Sequence, residues 1–267
     1  MTASPYETGV ARASIERALI AAGKDLEHLV PADLGMLEDF HTIGRIATSQ
    51  LVDLLDIAAD TEVLDAGTGI GGTARYLADR LRCKVTAVDL AEEYCSTAEW
   101  LNRLVRLDDL ITVQRADVTA LPFADNAFQV VFSQHVQMNV ADKVRLYREA
   151  RRVLANDGRL AIWDIAAGAS GHPTYPLPWA VDPARSHLAT SDRLRAVIES
   201  SGFTIEAWND LTETAAATMQ LILTLPPNPL GLHTFVDGFA EKVEHLTEAL
   251  ADGRIRAIQA VARATGR

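Results

Sequence analysis

The chain has 267 residues, of which 48% are hydrophobic and 23% charged, values of a globular protein that exclude disorder and low-complexity fibres. Its 25 Lys and Arg against 36 Asp and Glu leave a net charge of −11, a poor counter-ion for a phosphate backbone, so nucleic acid is not an expected partner. No apolar run reaches the ~20 residues of a membrane helix. The opening residues lack the basic-then-apolar pattern of a signal peptide, and two isolated cysteines, Cys83 and Cys95, fit a reducing compartment. The expected location is the cytoplasm.

In chain order, the first sixty residues read as helices. Apolar spacing at Ser14–Ile20 and again from about Thr42 to Leu55 marks two amphipathic stretches. From Glu62–Ala66 onward, strand and helix patterns alternate. Strands are expected at Lys84–Val88, Ile111–Arg115, Phe128–Phe132 and Arg159–Ile165, the last after an Asn156-Asp157-Gly158 turn. Helices are expected at Ala91–Arg106 and Ala141–Leu154. Such alternation predicts a parallel sheet covered on both faces. Residues 167–189, rich in proline, form a loop longer than a connector needs. A helix at Thr190–Ser201 and a strand at Phe203–Trp208 follow. Helices at Thr212–Leu223 and Phe235–Ala251 make an excursion before a last strand, Arg254–Val261.

The chemistry concentrates where the first strand meets glycines: Val63-Leu64-Asp65-Ala66-Gly67-Thr68-Gly69-Ile70-Gly71-Gly72. A sharp strand-to-helix turn needs residues that tolerate positive φ and the close approach of a ligand. Asp89 ends the next strand, about twenty residues on, where a carboxylate can accept both ribose hydroxyls. Gly67, Gly69 and Gly72 satisfy G-x-G-x-x-G, so an NAD(P)-dependent oxidoreductase is one reading. Against it stand Asp65, which suits an ammonium group better than a pyrophosphate, the absence of a Tyr-x-x-x-Lys pair, and Asp117, placed to accept from an adenine amino group.

Asp65-x-Gly67-x-Gly69-x-Gly71, Asp89-Leu90, Asp117-Val118 and the strand from Phe128 to Ser133 together resemble the ordered motifs of class I S-adenosylmethionine (SAM)-dependent methyltransferases, over about residues 40–210. Asp39-Phe40-His41-Thr42-Ile43-Gly44-Arg45 and Ser133-Gln134-His135-Val136 resemble the small-molecule branch that holds the sarcosine/dimethylglycine, tocopherol and quinone-pathway enzymes. The resemblance implies a doubly wound seven-stranded sheet of order 3-2-1-4-5-7-6. A helical lid would occupy residues 1–58, and the core would run from 59 to 267 with a cap inserted at about 210–252. It also implies that Asp65 and the backbone of Gly67 hold the methionine portion of SAM, with Gly69 and Gly71 allowing its close approach. Asp89 would take the ribose, Leu90, Asp117 and Val118 the adenine, and Ser133 and Gln134 the sulfonium side. His41, Gly44 and Arg45 would be lid residues. Gln129 departs from the family's usual Asp.

A sulfonium methyl needs chiefly an aligned nucleophile and exclusion of water, with a base where the nucleophile must lose a proton. His135, just past the fourth strand, is the candidate for proton acceptor or substrate orienter. Trp163 and Asp164 end the fifth strand on opposite faces, so one of them is expected at the acceptor, with Trp179 as a wall. An acceptor bearing a carboxylate would want Arg185, Arg193 or Arg195. The histidines show no metal-ligand spacing and no metal is expected. The Asn/Asp-Pro-Pro-Tyr/Phe signature of DNA methyltransferases is missing after the fourth strand, which leaves a small-molecule acceptor. The partner expected is that substrate, with no membrane, and the chain acting as a monomer or homodimer. A non-catalytic SAM-binding protein stays open, since binding and turnover need different residues.

Overall fold

A computed structural model describes residues 9–38, 41–226 and 228–266; Asp39 and Phe40, part of one motif above, lie outside them. Strands β1 (Glu62–Ala66), β2 (Lys84–Asp89), β3 (Ile111–Arg115), β4 (Phe128–Gln134), β5 (Leu154–Ala167), β6 (Phe203–Asp210) and β7 (Ile255–Ala264) form one sheet. Its order is β3-β2-β1-β4-β5-β7-β6. The first five strands run parallel, and β7 lies antiparallel between β5 and β6. The predicted order and alternation hold.

Strand alternation divides the core. Val63, Val85, Ala87, Phe132 and Trp163 face one side, where α4 (Gly72–Leu81) and α5 (Glu92–Leu104) cover them. On that side also pack α1 (Ala11–Ala21), α2 (Pro31–Leu34), α3 (Arg45–Val52), α8 (Thr212–Thr224) and α9 (Phe239–Ala251). Leu64, Val131, Leu160 and Ile162 face the other side, under α6 (Lys143–Val153) and α7 (Ser191–Ser200). Side-chain caps fix the starts of these two helices: Asp142 accepts from the Arg145 N–H and Thr190 from the Arg193 N–H. Glu93 on α5 anchors the N-terminal segment by accepting the N–H groups of Gly9 and Ala11, both at 2.7 Å.

Several boundaries differ from the pattern reading, each for a local reason. The Asn156-Asp157-Gly158 turn lies inside β5 as an irregularity: Asp157 has φ +60°, and pairing with β4 jumps from Phe128–Leu154 to Val130–Arg159. The third helix begins only after Gly44, whose φ of +52° and ψ of −137° are not helical. The expected helix from Phe235 instead starts at Phe239, after Gly238 at φ +61°. The four-residue α2 carries no apolar period and escaped the pattern. No helix among the described residues is long and apolar enough to cross a membrane.

Candidate active site

The glycine turn follows β1, and its backbone is tied to the neighbouring strand: the N–H groups of Gly67 and Thr68 both donate to the Val88 carbonyl. Gly67 sits at φ +86°, and a Cβ there would lie 2.4 Å from Cγ2 of Val136, so only glycine fits. Asp65, 2% exposed, accepts from the Thr68 hydroxyl at 2.6 Å. At the end of β2, Asp89 accepts from the Gly69 N–H at 2.9 Å and the Ala91 N–H at 3.0 Å, while burial holds its carboxyl above the usual range. Past β3, one oxygen of Asp117 takes both the N–H and the hydroxyl of Thr119. Three carboxylates therefore mark the C-terminal ends of three adjacent strands, the place where open α/β sheets take ligands.

These groups open onto one cavity of about 680 Å³. Among the predicted residues, Asp65, Gly67, Gly69, Asp89, Leu90, Asp117 and Val118 line it, as do His41, Gln134, His135 and Trp179. Leu90 is 63% exposed, an apolar side chain held in the open beside Asp89 and Asp117.

A buried polar chain crosses the cavity floor. The Gln134 amide donates to Thr73 Oγ1 at 2.6 Å, Thr48 bridges towards Gln134, and the Thr48 hydroxyl lies 3.1 Å from His41 Nε2. His135 has φ +55°, and its Nε2 accepts from the backbone N–H of Thr42 at 3.1 Å. Burial lowers both rings, His41 to about 3 and His135 well below its ordinary value, so both are neutral at pH 7.

Six predicted residues do not reach the cavity. Ser133 points to the opposite sheet face, against Ala66, Leu146 and Tyr147, because it alternates with Gln134 along β4. Trp163 is fully buried in the core. Asp164 accepts from the N–H groups of Val136, Gln137 and Ile165, and so shapes the segment after β4 from behind. Gly71 starts α4 at φ +89°. Gly44 precedes α3, and Arg45 pairs with Glu38 at 2.6 Å.

Sequence reasoning missed the group that buttresses the glycine turn. Arg75, 1% exposed, donates to Glu38 Oε1 at 2.5 Å, to the Asn102 side chain at 2.8 Å and to the Ile70 carbonyl at 2.6 Å. An arginine flanked by Ala74, Leu77 and Ala78 on the apolar face of α4 is the one sequence signal of it. The contacts of Gln134 with Thr73 and Thr48 likewise depend on folding, not on spacing.

Burial raises Asp164 to about 6, against the three N–H groups that favour its charge. A carboxyl raised on folding contributes stability below its unfolded value near 4 and loses it as pH rises through 6. Asp164→Asn removes that contribution. Relative to wild type, its unfolding free energy should fall more steeply on acidification from pH 6 to 4.5, by about 1.4 kcal/mol per pH unit, beside a constant cost for the mispaired N–H. Parallel curves from urea titrations across that range would remove Asp164 as a titrating group.

The comparisons agree with this geometry. Residues 64–162 match the family described as Methyltransferase domain. Over 133 residues, half of this chain, it is 35% identical to the glycine/sarcosine/dimethylglycine N-methyltransferase of Actinopolyspora halophila, but spans only 24% of that protein. It is 27% identical to the methyltransferase GfsG of Streptomyces halstedii over 72% of this chain and 70% of the relative. Its fold matches that of geranyl diphosphate C-methyltransferase from Streptomyces coelicolor, with a TM-score of 0.71 at 19% identity over 99% of this chain and all of the other. Residues 64–162 are thus similar to a methyltransferase domain, and the chain shares the fold of a solved methyltransferase. It resembles the small-molecule branch of such enzymes.

Proposed function

We propose that the chain is a SAM-dependent methyltransferase that moves the SAM methyl to a small-molecule acceptor and releases S-adenosylhomocysteine. The observation that carries this is the row of Asp65, Asp89 and Asp117 at three adjacent strand ends, beside a glycine turn that no side chain at Gly67 would permit. The residues fit SAM: a carboxylate for the ammonium group, one for the ribose hydroxyls, and one with an oxygen left for the adenine amino group. Exposed Leu90 offers the adenine an apolar face. A pyrophosphate would meet Asp65 unfavourably, which sets aside a dinucleotide.

Bound SAM supplies an electrophilic methyl on a sulfonium. The chain's part is to hold, orient and exclude water. Gln134, fixed by Thr73, forms a rigid floor, and His41, Trp179 and Phe235 close the cavity. In this reading residues 1–58 act as a lid and 210–252 as a cap, since His41 comes from the first and Phe235 from the second. His135 works as an orienter rather than a base while Thr42 is seated. With Nε2 accepting the Thr42 N–H, the neutral ring carries its proton on Nδ1 and offers a donor, not a lone pair. Of Trp163, Asp164 and Trp179, Trp179 is the one that lines the cavity. The protein acts in the cytoplasm as a monomer or homodimer, its charge of −11 opposing nucleic-acid substrates.

Incubation with SAM and mixed amine, phenol and alcohol acceptors, followed by mass spectrometry, tests turnover. Acceptor-dependent S-adenosylhomocysteine is expected. SAM binding with no acceptor-dependent product from any such mixture would instead favour a non-catalytic SAM-binding protein.

A further inference from the structure

The charges on the cavity wall are lopsided. Asp65, Asp89, Asp117 and Asp142 line it, against Arg115 as the one Lys or Arg among the described lining residues. Arg115 is paired in register with Asp89 across β2 and β3 and donates to the Leu90 carbonyl, which puts it at the end assigned to the adenosyl group. Away from that end the wall is Met138, Val140, Pro178, Trp179 and Phe235, together with Asn139, Asp142 and the His41 and His135 rings. Trp179 spends its indole N–H on Ser186 Oγ at 2.9 Å, leaving an apolar ring.

The nearest spare cation is spare only in sequence. Lys143, beside Asp142, turns its ammonium inward onto the carbonyls of Gln137, Val140 and His187. Arg185, Arg193 and Arg195, the arginines an anionic acceptor would require, do not line the cavity: Arg185 pairs with Asp182, and Arg195 with Glu199. His41 and His135 face the cavity as polar rings, and the bond His135 Nε2 accepts from the Thr42 N–H requires a neutral ring. An acceptor carboxylate or phosphate would thus meet an apolar and acidic wall with no counter-charge, a strongly unfavourable placement.

Resting on the methyltransferase reading, we infer that the acceptor is a largely apolar molecule without an anionic group, whose nucleophilic group is its main polar feature, and that acceptors bearing a carboxylate or phosphate are excluded. This separates the chain from the relative named for glycine, sarcosine and dimethylglycine, each of which carries a carboxylate. Asn139, whose amide donates to the His135 carbonyl, and the His41 and His135 rings are polar groups on the wall that orient such a nucleophile.

The test uses the full chain saturated with S-adenosylhomocysteine and three probes of one shape: 4-phenylbutan-1-ol, 4-phenylbutanoate and 4-phenylbutylamine. S-adenosylhomocysteine affinity is measured first, and its failure would remove the function reading itself, separately from the charge argument. With that complex formed, calorimetry should show the alcohol and the amine each binding at least about tenfold tighter than the carboxylate. A Val140→Lys variant that still binds S-adenosylhomocysteine should narrow or reverse the preference over the carboxylate. Equal or tighter binding of the carboxylate to the wild type, or no binding of either the alcohol or the amine at millimolar concentration, overturns the inference.

Discussion

Asp89→Ala is expected to weaken S-adenosylhomocysteine binding about 100-fold or more while the sheet stays folded. In the proposed reading the carboxylate accepts two ribose hydroxyls, and each hydrogen bond to a charged group is worth about 1.5–3 kcal/mol, with 1.4 kcal/mol to each factor of ten. A second loss adds to the first. Asp89 also holds the N–H groups of Gly69 and Ala91, so its removal loosens the turn that the ligand must approach. Asp89→Asn separates the two effects in part, because an amide oxygen still accepts one of those bonds. Calorimetric titration of both variants beside wild type is the check. Wild-type affinity in Asp89→Ala would remove the ribose assignment.

Arg75→Ala is expected to cost about 3–5 kcal/mol of stability, the usual result of leaving one partner of a buried ion pair. Glu38 would keep Arg45, which is half-buried, but lose the contact at 2.5 Å. Asn102 and the Ile70 carbonyl would lose their donors in a site with no room for bulk water. Against a total of about 5–15 kcal/mol for a typical domain, that is a large share. The double variant Arg75→Met, Glu38→Gln should recover part of the loss, because no full charge is then stranded at the pair. Urea unfolding followed by circular dichroism measures both. A loss under about 1 kcal/mol in the single variant would mean that Arg75 does not hold the turn.

What could be read from the sequence was what lies close along it. The parallel strands announced themselves as short apolar runs, and the glycine turn carries its own signature between Asp65 and Gly72. The acidic residues after β2 and β3 could be placed because each ends a strand whose limits were already clear. The failures share a cause. Ser133 was assigned with Gln134 although neighbours on a strand face opposite ways, the same alternation that separates Trp163 from Asp164. The contact of Thr42 with His135 and that of Glu38 with Arg75 join residues far apart in the chain, and no local period reports them. The irregularity at Asp157 looked like a turn because its residues are turn residues, and only pairing with β4 absorbs it into a strand.

His41 of the N-terminal segment, the carboxylate row and the apolar wall converge on one cavity, and what fills it decides the whole reading. The most direct measurement is calorimetric titration of the wild-type chain with SAM, S-adenosylhomocysteine, NAD⁺ and NADP⁺. Saturable micromolar binding of the first two, with none of the nicotinamide cofactors, is the expected result. Binding of NAD⁺ or NADP⁺ without SAM would contradict it and make the glycine turn a dinucleotide site.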